Sequence, residues 1–232
     1  MSFNIKNLIS NFLGLLYPNL CLICGENLLK SEQQICLKCL SEIPRTNFHL
    51  YKDNPVEKRF WGKADIKKAT SFFFFTKGSP FQKLLHELKY RDNKDIGELM
   101  GKYAAVDLLT DEIFCTVDYI VPIPLHPKKY AKRGYNQSEL ICNGMSKIFD
   151  KPVDTKSLIR TKETATQTKK SVFERYENTA GIFEVKNKEN FENKHILLVD
   201  DVLTTGSTIE AAIQAIKQCK GVKVSIFTLA MA

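Results

Sequence analysis

The chain has 232 residues, a formal net charge of +8 and a hydrophobic content of 44%. This length suits one α/β domain with a small additional module, and the composition is that of a soluble globular protein rather than a disordered or membrane-embedded one. The positive charge favours anionic partners such as phosphorylated ligands, but it is spread along the chain and does not by itself indicate nucleic-acid binding.

The first apolar stretch, residues 3–16, is too short and too polar to span a bilayer. Its side chains at Ile5, Leu8 and Phe12 share one helical face, which predicts an amphipathic helix packed on the rest of the protein. A signal peptide is the alternative, but the basic region is weak and no small-residue cleavage site follows. With no other candidate span, we expect a cytoplasmic protein without membrane insertion.

Four of the seven cysteines form two CxxC pairs separated by eleven residues. They are Cys21, Cys24, Cys36 and Cys39. In a cytosolic chain such pairs indicate a tetrahedral zinc site, and four thiolates without an open position indicate a structural role. Disulfide bonds or a redox pair are the alternatives. We therefore predict that residues 1–45 form an N-terminal helix and a four-cysteine zinc finger whose folding depends on the metal.

The remainder of the chain alternates between strand and helix patterns. Residues 46–68 are polar and mixed and predict a connector, and residues 69–232 predict the main domain. In chain order, the patterns indicate a strand at 69–76, helices beginning near 80 and 94, a strand at 118–123, a helix beginning at 136, short strands at 157–160 and 181–185, and a strand–helix–strand run from 195 to 232. This alternation predicts an α/β fold with a mostly parallel sheet.

A basic loop follows the strand at 118–123, with no Asp or Glu between Asp118 and Glu139. Its polar and basic side chains are His126, Lys128, Lys129, Lys132 and Arg133. If this strand neighbours the one that begins at 195, the loop lies at the carboxyl edge of the sheet, where its cations could bind an anionic ligand. A solvated basic turn is the alternative.

A second basic segment, residues 160–183, is rich in threonine and has no strong apolar period. This composition predicts a mobile loop that closes over an anionic ligand and excludes water, with Gln167, Lys169 and Arg175 as its candidate contacts. A plain surface loop with a short helix is the alternative.

The most informative run is HILLVDDVLTTGSTIEAAI, from His195 to Ile213. Ile196–Val199 is an unbroken apolar stretch, which indicates a strand covered on both faces, and we expect it to end at Asp200 and Asp201. Ligands of open α/β sheets bind beyond the carboxyl ends of the strands, and paired acids suit ribose hydroxyls. An ordinary strand–turn–helix with surface acids is the alternative.

A small loop follows the acids and combines hydroxyl side chains with one glycine. Its members are Thr204, Thr205, Gly206, Ser207 and Thr208. Gly206 permits close approach of the backbone to a ligand, and Ser207 and Glu210 have the spacing of a capping box, which predicts that a helix starts here. Such a helix start suits a phosphate, and a phosphate close to two acids calls for Mg²⁺. Neither a Walker loop nor a three-glycine dinucleotide fingerprint is present.

This run resembles the phosphoribosyl pyrophosphate (PRPP) motif of type I phosphoribosyltransferases. The resemblance implies that Asp200 and Asp201 hold the ribose 2′ and 3′ hydroxyls, that Thr204–Thr208 cradle the 5′-phosphate, and that Mg²⁺ accompanies PRPP. The family places a pyrophosphate loop in the part of the sheet occupied here by the first basic loop. The corresponding residues are Pro124, Leu125, His126, Lys128 and Lys129.

Taken together, the motifs resemble the ComF family of competence-associated proteins. They occur in order as two CxxC pairs, HELKY (residues 86–90), VPIPLHPKK followed by RGYNQSE (121–139), and VDDVLTTGST (199–208). The resemblance implies a type I phosphoribosyltransferase-like fold, with a mostly parallel twisted sheet flanked by helices and a small N-terminal zinc finger with four cysteine ligands. It also implies a role in natural competence and DNA uptake, with single-stranded DNA and competence helicase or processing proteins as partners.

Two kinds of function fit these features. One is a phosphoribosyltransferase that binds Mg–PRPP and transfers phosphoribose to an unknown acceptor, with Lys128, Lys129 and Arg175 stabilising the departing pyrophosphate. The other is a non-catalytic module that senses PRPP or another ribose 5-phosphate ligand, or holds single-stranded DNA through the zinc finger and the tyrosines Tyr130 and Tyr135. A fold relic with neither activity is the third alternative.

Overall fold

The computed structural model describes residues 18–90, 93–161 and 181–232. The strands are β1 (Lys68–Phe74), β2 (Tyr119–Pro122), β3 (Leu158–Arg160), β4 (Phe183–Val185), β5 (His195–Leu203) and β6 (Lys223–Met231). The α-helices are α1 (Leu37–Ser41), α2 (Pro55–Lys58), α3 (Gln82–Tyr90), α4 (Lys94–Leu108), α5 (Glu112–Cys115), α6 (Pro127–Arg133), α7 (Gln137–Phe149) and α8 (Ser207–Ile216). The predicted N-terminal helix at 3–16 and most of the predicted loop at 160–183 lie outside the described residues.

Four strands form one parallel sheet in the order β1–β6–β5–β2. Because parallel neighbours need crossover connections, helices lie between these strands along the chain. β3 and β4 form a separate antiparallel pair. The fold class expected from the alternating patterns, a parallel sheet flanked by helices, is confirmed.

The two faces of the sheet belong to two hydrophobic clusters. Along β5, Leu197 and Val199 join the cluster that contains α3, α4 and α7, whereas Ile196 and Leu198 join the cluster that contains α8 and the β3–β4 pair. Successive side chains of a strand point to opposite faces, so the unbroken apolar run is explained by burial on both sides.

Helices α4 and α7 approach each other very closely over one face of the sheet. Gly101 and Gly144 lie at this contact, where a Cβ at either position would collide with the backbone of Ile141 or Glu98. α7 begins at Asn136, whose side chain accepts a hydrogen bond from the Ser138 N–H. This packing brings the first turn of α7 to the carboxyl edge of the sheet.

The first basic loop differs from its prediction, because most of it is helical. The His126 side chain accepts from the Lys128 N–H, Pro127 occupies the first position of α6, and Gly134 ends the helix in the left-handed conformation. Lys128 and Lys129 therefore extend from a short helix rather than from an irregular loop. The alternation rule missed this helix because seven mostly charged residues have no apolar period.

The segment between the cysteine pairs and β1 is folded onto the sheet. Asn54 and Glu57 form a capping box at α2, and Phe60, which is buried, packs in the cluster of α8. The buried cysteines join the other cluster together with Leu84 and Leu88 of α3. Among the described helices, none has both the length and the apolar character needed to cross a membrane.

Candidate functional site

The acid pair lies within strand β5, not after its end. β2 pairs with β5 only as far as Pro122 and Val199, whereas β6 stays in register to the Leu203–Met231 pair. The expectation that the strand ends at the acids is wrong because β6 continues the ladder. On the β2 side, however, pairing has already stopped, and Asp200 and Asp201 therefore lie on a stretch of strand edge that no described strand covers.

Asp200 is held by two hydrogen bonds to the same carboxylate oxygen. Its Oδ1 accepts from the Ser138 hydroxyl at 3.0 Å and from the Asp201 N–H at 2.9 Å. Burial of the carboxyl group and the charge on Asp201 nevertheless raise the pKa of Asp200 to about 7. At neutral pH this carboxyl group is therefore balanced between its charged and neutral forms.

Asp201 is paired with a lysine from another part of the chain. Lys89 Nζ lies 3.0 Å from Asp201 Oδ2, and both side chains are largely buried. The same lysine also lowers the pKa of Asp200, although less than burial raises it. A cation from α3 thus partly neutralises the acid pair.

Arg160, at the end of β3, is a second cation within electrostatic reach of this pair. Burial lowers the pKa of its guanidinium group, and the charge on Asp200 opposes that shift. The guanidinium carbon lies 5.4 Å from the centre of the Phe183 ring, a separation typical of cation–π pairs. The ring of Phe183 therefore helps to hold a half-buried cation near Asp200.

The loop 204–208 connects the acid pair to helix α8. Gly206 adopts φ +85°, and a Cβ there would lie 3.3 Å from the ring of Phe60. Arg59 Nη1 donates to the Thr204 carbonyl at 2.6 Å, and Arg59 Nη2 reaches the Ala232 carbonyl at 3.4 Å. Arg59, through this hydrogen bond, and Phe60, through its ring, therefore hold the loop in place.

The start of α8 differs in detail from the expected capping box. Gly206 is the N-cap, so the cap position offers no side-chain acceptor. The hydroxyls of Thr205 and Ser207 instead lie 3.1 Å apart, and the Ser207 N–H makes only a long contact of 3.5 Å with the Thr205 hydroxyl. Because Gly206 has no side chain to cap the helix, the first backbone N–H groups of α8 remain suited to an anion.

The segment of predicted pyrophosphate residues leaves the sheet next to β5. The N–H of Ile123 donates to the Val199 carbonyl at 2.8 Å, immediately before Pro124. From there the chain enters α6, with the side chains of Lys128 and Lys129 exposed to solvent. Of the other candidates, Gln167, Lys169 and Arg175 lie outside the described residues.

The four paired cysteines form one compact group, the four-cysteine cluster. Their sulfur atoms all lie within 4.8 Å of one another, and the Sγ atoms of Cys24 and Cys36 are 3.8 Å apart. Sulfurs about 2.3 Å from a tetrahedral zinc ion are separated by about 3.8 Å, so the donor set could hold a metal such as zinc. All four cysteines are free thiols, which disagrees with the disulfide alternative.

The electrostatics of Cys21 also suit a metal ligand. Burial disfavours its thiolate, but N–H groups of Cys24, Cys36 and Ile23 act on its sulfur and lower its pKa to about 6. The Cys36 N–H donates to this sulfur at 3.3 Å. Thiolates are the form that binds zinc, and hydrogen bonds from the backbone favour that form.

Residue-level sequence reasoning missed four side chains that contact or influence the acid pair and its loop. They are Arg59, Lys89, Ser138 and Arg160. Lys89 and Ser138 do lie in HELKY and RGYNQSE, two of the quoted motifs. Those motifs could have pointed to the site, but only the packing of α3 and α7 shows which carboxylate each residue contacts.

Comparisons with known proteins agree with this geometry. A family model described as a phosphoribosyl transferase domain matches residues 136–231, which contain α7, β5, the loop and α8. The chain is 26% identical to the DNA utilization protein YhgH of Escherichia coli (strain K12), over 94% of this chain and 92% of that protein. It is 32% identical to competence protein F of Haemophilus influenzae, over 49% of this chain and 50% of that protein.

Residues 136–231 are thus similar to a phosphoribosyl transferase domain, and the chain as a whole is similar to proteins named for competence and DNA utilization. The resemblance drawn from the motifs is thereby confirmed. Among solved structures, the glutamine PRPP amidotransferase from B. subtilis complexed with ADP and GMP is similar at a TM-score of 0.43 and 14% identity, over 62% of this chain and 30% of that chain. A similarity this low adds nothing to the assignment, which depends on the family model and the sequence relatives.

Proposed function

We propose that this ComF-like protein binds Mg–PRPP, or another ribose 5-phosphate ligand, at the carboxyl edge of its parallel sheet. The observation that carries the proposal is the continuity of the acid pair, the loop at 204–208 and the start of α8. Two adjacent carboxyl groups, of which Asp200 has a raised pKa, lie a few residues before the helix whose N-cap is Gly206. Carboxylates that can accept from ribose hydroxyls are thus followed along the chain by N–H groups that can bind a phosphate.

Each part of the ligand has a proposed partner. Asp200 and Asp201 accept hydrogen bonds from the ribose hydroxyls, and Thr204, Thr205, Gly206, Ser207 and Thr208 surround the 5′-phosphate. The segment from Pro124 to Lys129 receives the pyrophosphate. Bound Mg²⁺ would neutralise charge on the pyrophosphate, and the carboxylate oxygens of the acid pair are compatible with such a complex.

The chemistry we propose is phosphoribosyl transfer to an acceptor of unknown identity. As pyrophosphate departs, positive charge develops on the ribose and negative charge on the leaving group. The exposed cations Lys128 and Lys129 would stabilise the leaving charge, together with Arg175 from the segment outside the described residues. The predicted loop with Gln167 and Lys169 would close over the ligand and exclude water.

The biological role we propose is in natural competence and DNA uptake. Support comes from relatives whose names are competence protein F and DNA utilization protein YhgH. Single-stranded DNA and competence helicase or processing proteins are the partners we propose. The four-cysteine cluster would bind zinc in a structural role, because its four sulfurs leave no open coordination position.

Calorimetric titration with Mg–PRPP tests the binding proposal. The wild-type protein should bind with a measurable Kd, and the double variant Asp200→Asn, Asp201→Asn should bind at least about 10-fold more weakly, because it loses the charged acceptors of the ribose hydroxyls. Asp65→Asn serves as the control, since its carboxylate pairs with Lys217 on the surface. Equal affinity of the double variant and the wild type would reject the proposed ligand site.

Turnover requires a separate measurement. Pyrophosphate release from Mg–PRPP should appear when nucleobases, amines or oligonucleotides are offered as acceptors, and Lys128→Met with Lys129→Met should reduce it. Binding without release for any acceptor class would favour a PRPP-sensing module over an enzyme.

Single-stranded DNA binding is a second candidate function, favoured by one surface feature. Trp61 is 57% exposed and stacks against the Lys58 ammonium group, 5.7 Å from the ring centre. It follows Arg59 by two positions, and Arg59 contacts the loop at Thr204. Exposed aromatics among cations bind single strands by stacking and charge. Tyr135, in contrast, is buried and donates its hydroxyl to the Leu88 carbonyl, which makes it unsuited to stacking.

Because the chain has a single tryptophan, its fluorescence reports on this surface directly. A single-stranded oligonucleotide should quench Trp61, and the affinity should fall as salt rises. Trp61→Ala should weaken binding about 5-fold or more, the usual size of one stacked base. Tyr51→Ala, which removes another exposed ring, is the matched control. No quenching at low salt would remove this candidate.

A further inference from the structure

Helix α3 contacts both the four-cysteine cluster and the acid pair. Near its start, Lys83 Nζ donates to the Ile23 carbonyl between the first two cysteines, at 2.8 Å. Near its end, Lys89 Nζ pairs with Asp201 at 3.0 Å. Two lysines of one short helix thus join the cysteine-bearing segment to the edge where the acids lie.

Apolar packing makes the first of these connections firm. Leu84, Leu85 and Leu88 are buried along α3, and they belong to the same hydrophobic cluster as Ile23 and the buried cysteines. The Lys83 hydrogen bond is partly exposed and weak on its own, and burial of these leucines in the shared cluster adds to the attachment. If the four-cysteine cluster shifted, α3 would therefore move with it, because tightly packed side chains do not slide past one another.

The second connection reaches both carboxylates. Lys89 contacts Asp201 directly. The Leu88 carbonyl accepts from the Tyr135 hydroxyl at 3.0 Å, and Tyr135 immediately precedes the N-cap of α7, where Ser138 donates to Asp200. The two carboxylates are thus held by side chains whose positions both depend on α3.

We propose that the four-cysteine cluster positions the acid pair through helix α3, so that metal occupancy and ribose phosphate affinity are linked. Lys83 and Leu88 act as positioning residues, and Lys89 is the side chain through which the effect reaches the ligand site. The ligand half of this inference depends on the proposed function. By thermodynamic reciprocity, a ligand that is bound more tightly with the metal in place must also hold the metal more tightly.

Hydrogen exchange of the zinc-loaded protein tests the structural half without any ligand. Lys83→Met should speed exchange about 3-fold or more in residues 82–88 and in residues 199–202, within the range known for substitutions along a coupling route. The β3–β4 pair should keep its exchange rates. Lys217→Met is the matched control, because it removes a lysine ion pair with Asp65 at the end of α8, which packs in the other hydrophobic cluster.

Titration with Mg–PRPP tests the ligand half. Lys89→Met should weaken binding about 10-fold and Lys83→Met about 3-fold, whereas Lys217→Met should bind as the wild type does. If Lys83 acts through Lys89, the double variant should bind no more weakly than Lys89→Met alone. Additive losses in the double variant would overturn the proposed route.

Reciprocity supplies an independent measurement. Mg–PRPP should slow the transfer of zinc to a chromogenic chelator about 5-fold in the wild type and much less in Lys89→Met. Mg–pyrophosphate, which lacks the ribose, controls for direct effects on the metal and should change nothing. Equal slowing by both ligands would contradict the link.

The two proposals fail in different ways. If the wild type does not bind Mg–PRPP, the proposed function fails, but the exchange rates still decide whether the four-cysteine cluster positions the acid pair. If the wild type binds and Lys83→Met leaves both the exchange of residues 199–202 and the Kd unchanged, the positioning role is wrong while the binding function stands.

Discussion

The two ends of strand β5 differ in how their polar groups are satisfied. At the first residue, the His195 ring bonds the Thr116 hydroxyl through Nδ1 and the Ser225 hydroxyl through Nε2, both at 2.8 Å, and its backbone N–H donates to Asp118. Burial lowers the pKa of His195, with the charge on Asp118 opposing the shift. This end is a completed polar network that holds a neutral ring.

In the second half of β5, the charge of the acid pair is only partly compensated. Burial and the neighbouring Asp201 raise the pKa of Asp200 to about 7, and Lys89 offsets this only in part. The polar groups at the start of β5 therefore stabilise the fold, whereas the acid pair later in the same strand lowers the stability of the ligand-free protein. An acid pair that destabilises the free protein is expected at a ligand site, because bound hydroxyls and cations can offset the cost of burying its charge.

The largest effect on stability is expected at the satisfied end. His195→Ala should lower the free energy of unfolding by about 3 kcal/mol, because it removes a buried ring and leaves the hydroxyls of Thr116 and Ser225 without their partner. Urea denaturation measures the loss, and His86→Ala, on the exposed side of α3, should cost little. The affinity for Mg–PRPP should stay unchanged. A comparable loss of affinity would show that the His195 network and the acid pair are not independent.

At the acid pair, Asp200→Asn should stabilise the ligand-free protein at pH 8, by on the order of 2 kcal/mol. A raised folded-state pKa means that the folded protein binds a proton more readily, so the Asp200 contribution to stability falls as pH rises from about 4 to 7. His195 acts oppositely, since its lowered pKa makes stability fall as pH drops below about 6.5.

Removing Asp200 should therefore leave a steeper rise of stability between about pH 5 and 7. Denaturation curves across this range measure the slope. Asp65→Asn is the control and should slightly destabilise, because hydrogen bonding to Lys217 lowers the Asp65 pKa. A loss of stability in Asp200→Asn at pH 8 would show that the acid is fully compensated in the free protein.

Gly206→Ala should destabilise by about 1–2 kcal/mol and disturb the phosphate loop. The cost combines a left-handed backbone with a 3.3 Å contact to the Phe60 ring. Gly62→Ala is the matched control, because Gly62 also has a positive φ but no atom within 4 Å of its Cβ position. Thermal unfolding of both variants separates the cost of the backbone conformation from the cost of the ring contact. Equal losses of stability would mean that the Phe60 ring moves aside without cost.

The smallest expected effect is that of Ser138→Ala. Loss of one hydrogen bond should cost about 1 kcal/mol and raise the Asp200 pKa further, since the Ser138 hydroxyl lowers it. The pH midpoint of Mg–PRPP binding should therefore move upward, as measured by titration between about pH 6 and 8.5. Ser146 is also on α7, and Ser146→Ala removes a hydrogen bond from its hydroxyl to the Lys151 carbonyl beyond the helix end, which should leave the midpoint in place.

Local patterns predicted the described framework well. The strand at 118–123, the helix opened by Asn136 and the strand from 195 all form within a few residues of expectation. These predictions succeed because apolar period and capping residues act over one or two turns of chain. The short charged helix α6 escaped them because it has no apolar period, and the extra length of β5 escaped them because two acids interrupt its apolar run.

By itself, the sequence determined the composition of the two centres. The CxxC spacing defines which four sulfurs can converge, and the order of acids, hydroxyls and glycine after an apolar run defines an edge suited to a sugar phosphate. Both are local patterns, in which the chemically active residues are close along the chain, so no knowledge of packing is needed to find them.

Only the tertiary structure decided how the acid pair is balanced. Lys89, Ser138 and Arg160 reach it from three different elements, and the packing of α3 and α7 on one face of the sheet determines which carboxylate the first two contact. Charge balance in a buried site depends on distance and desolvation rather than on position in the chain. For that reason the sequence could predict a ligand site here but not the lysine that links it to the four-cysteine cluster.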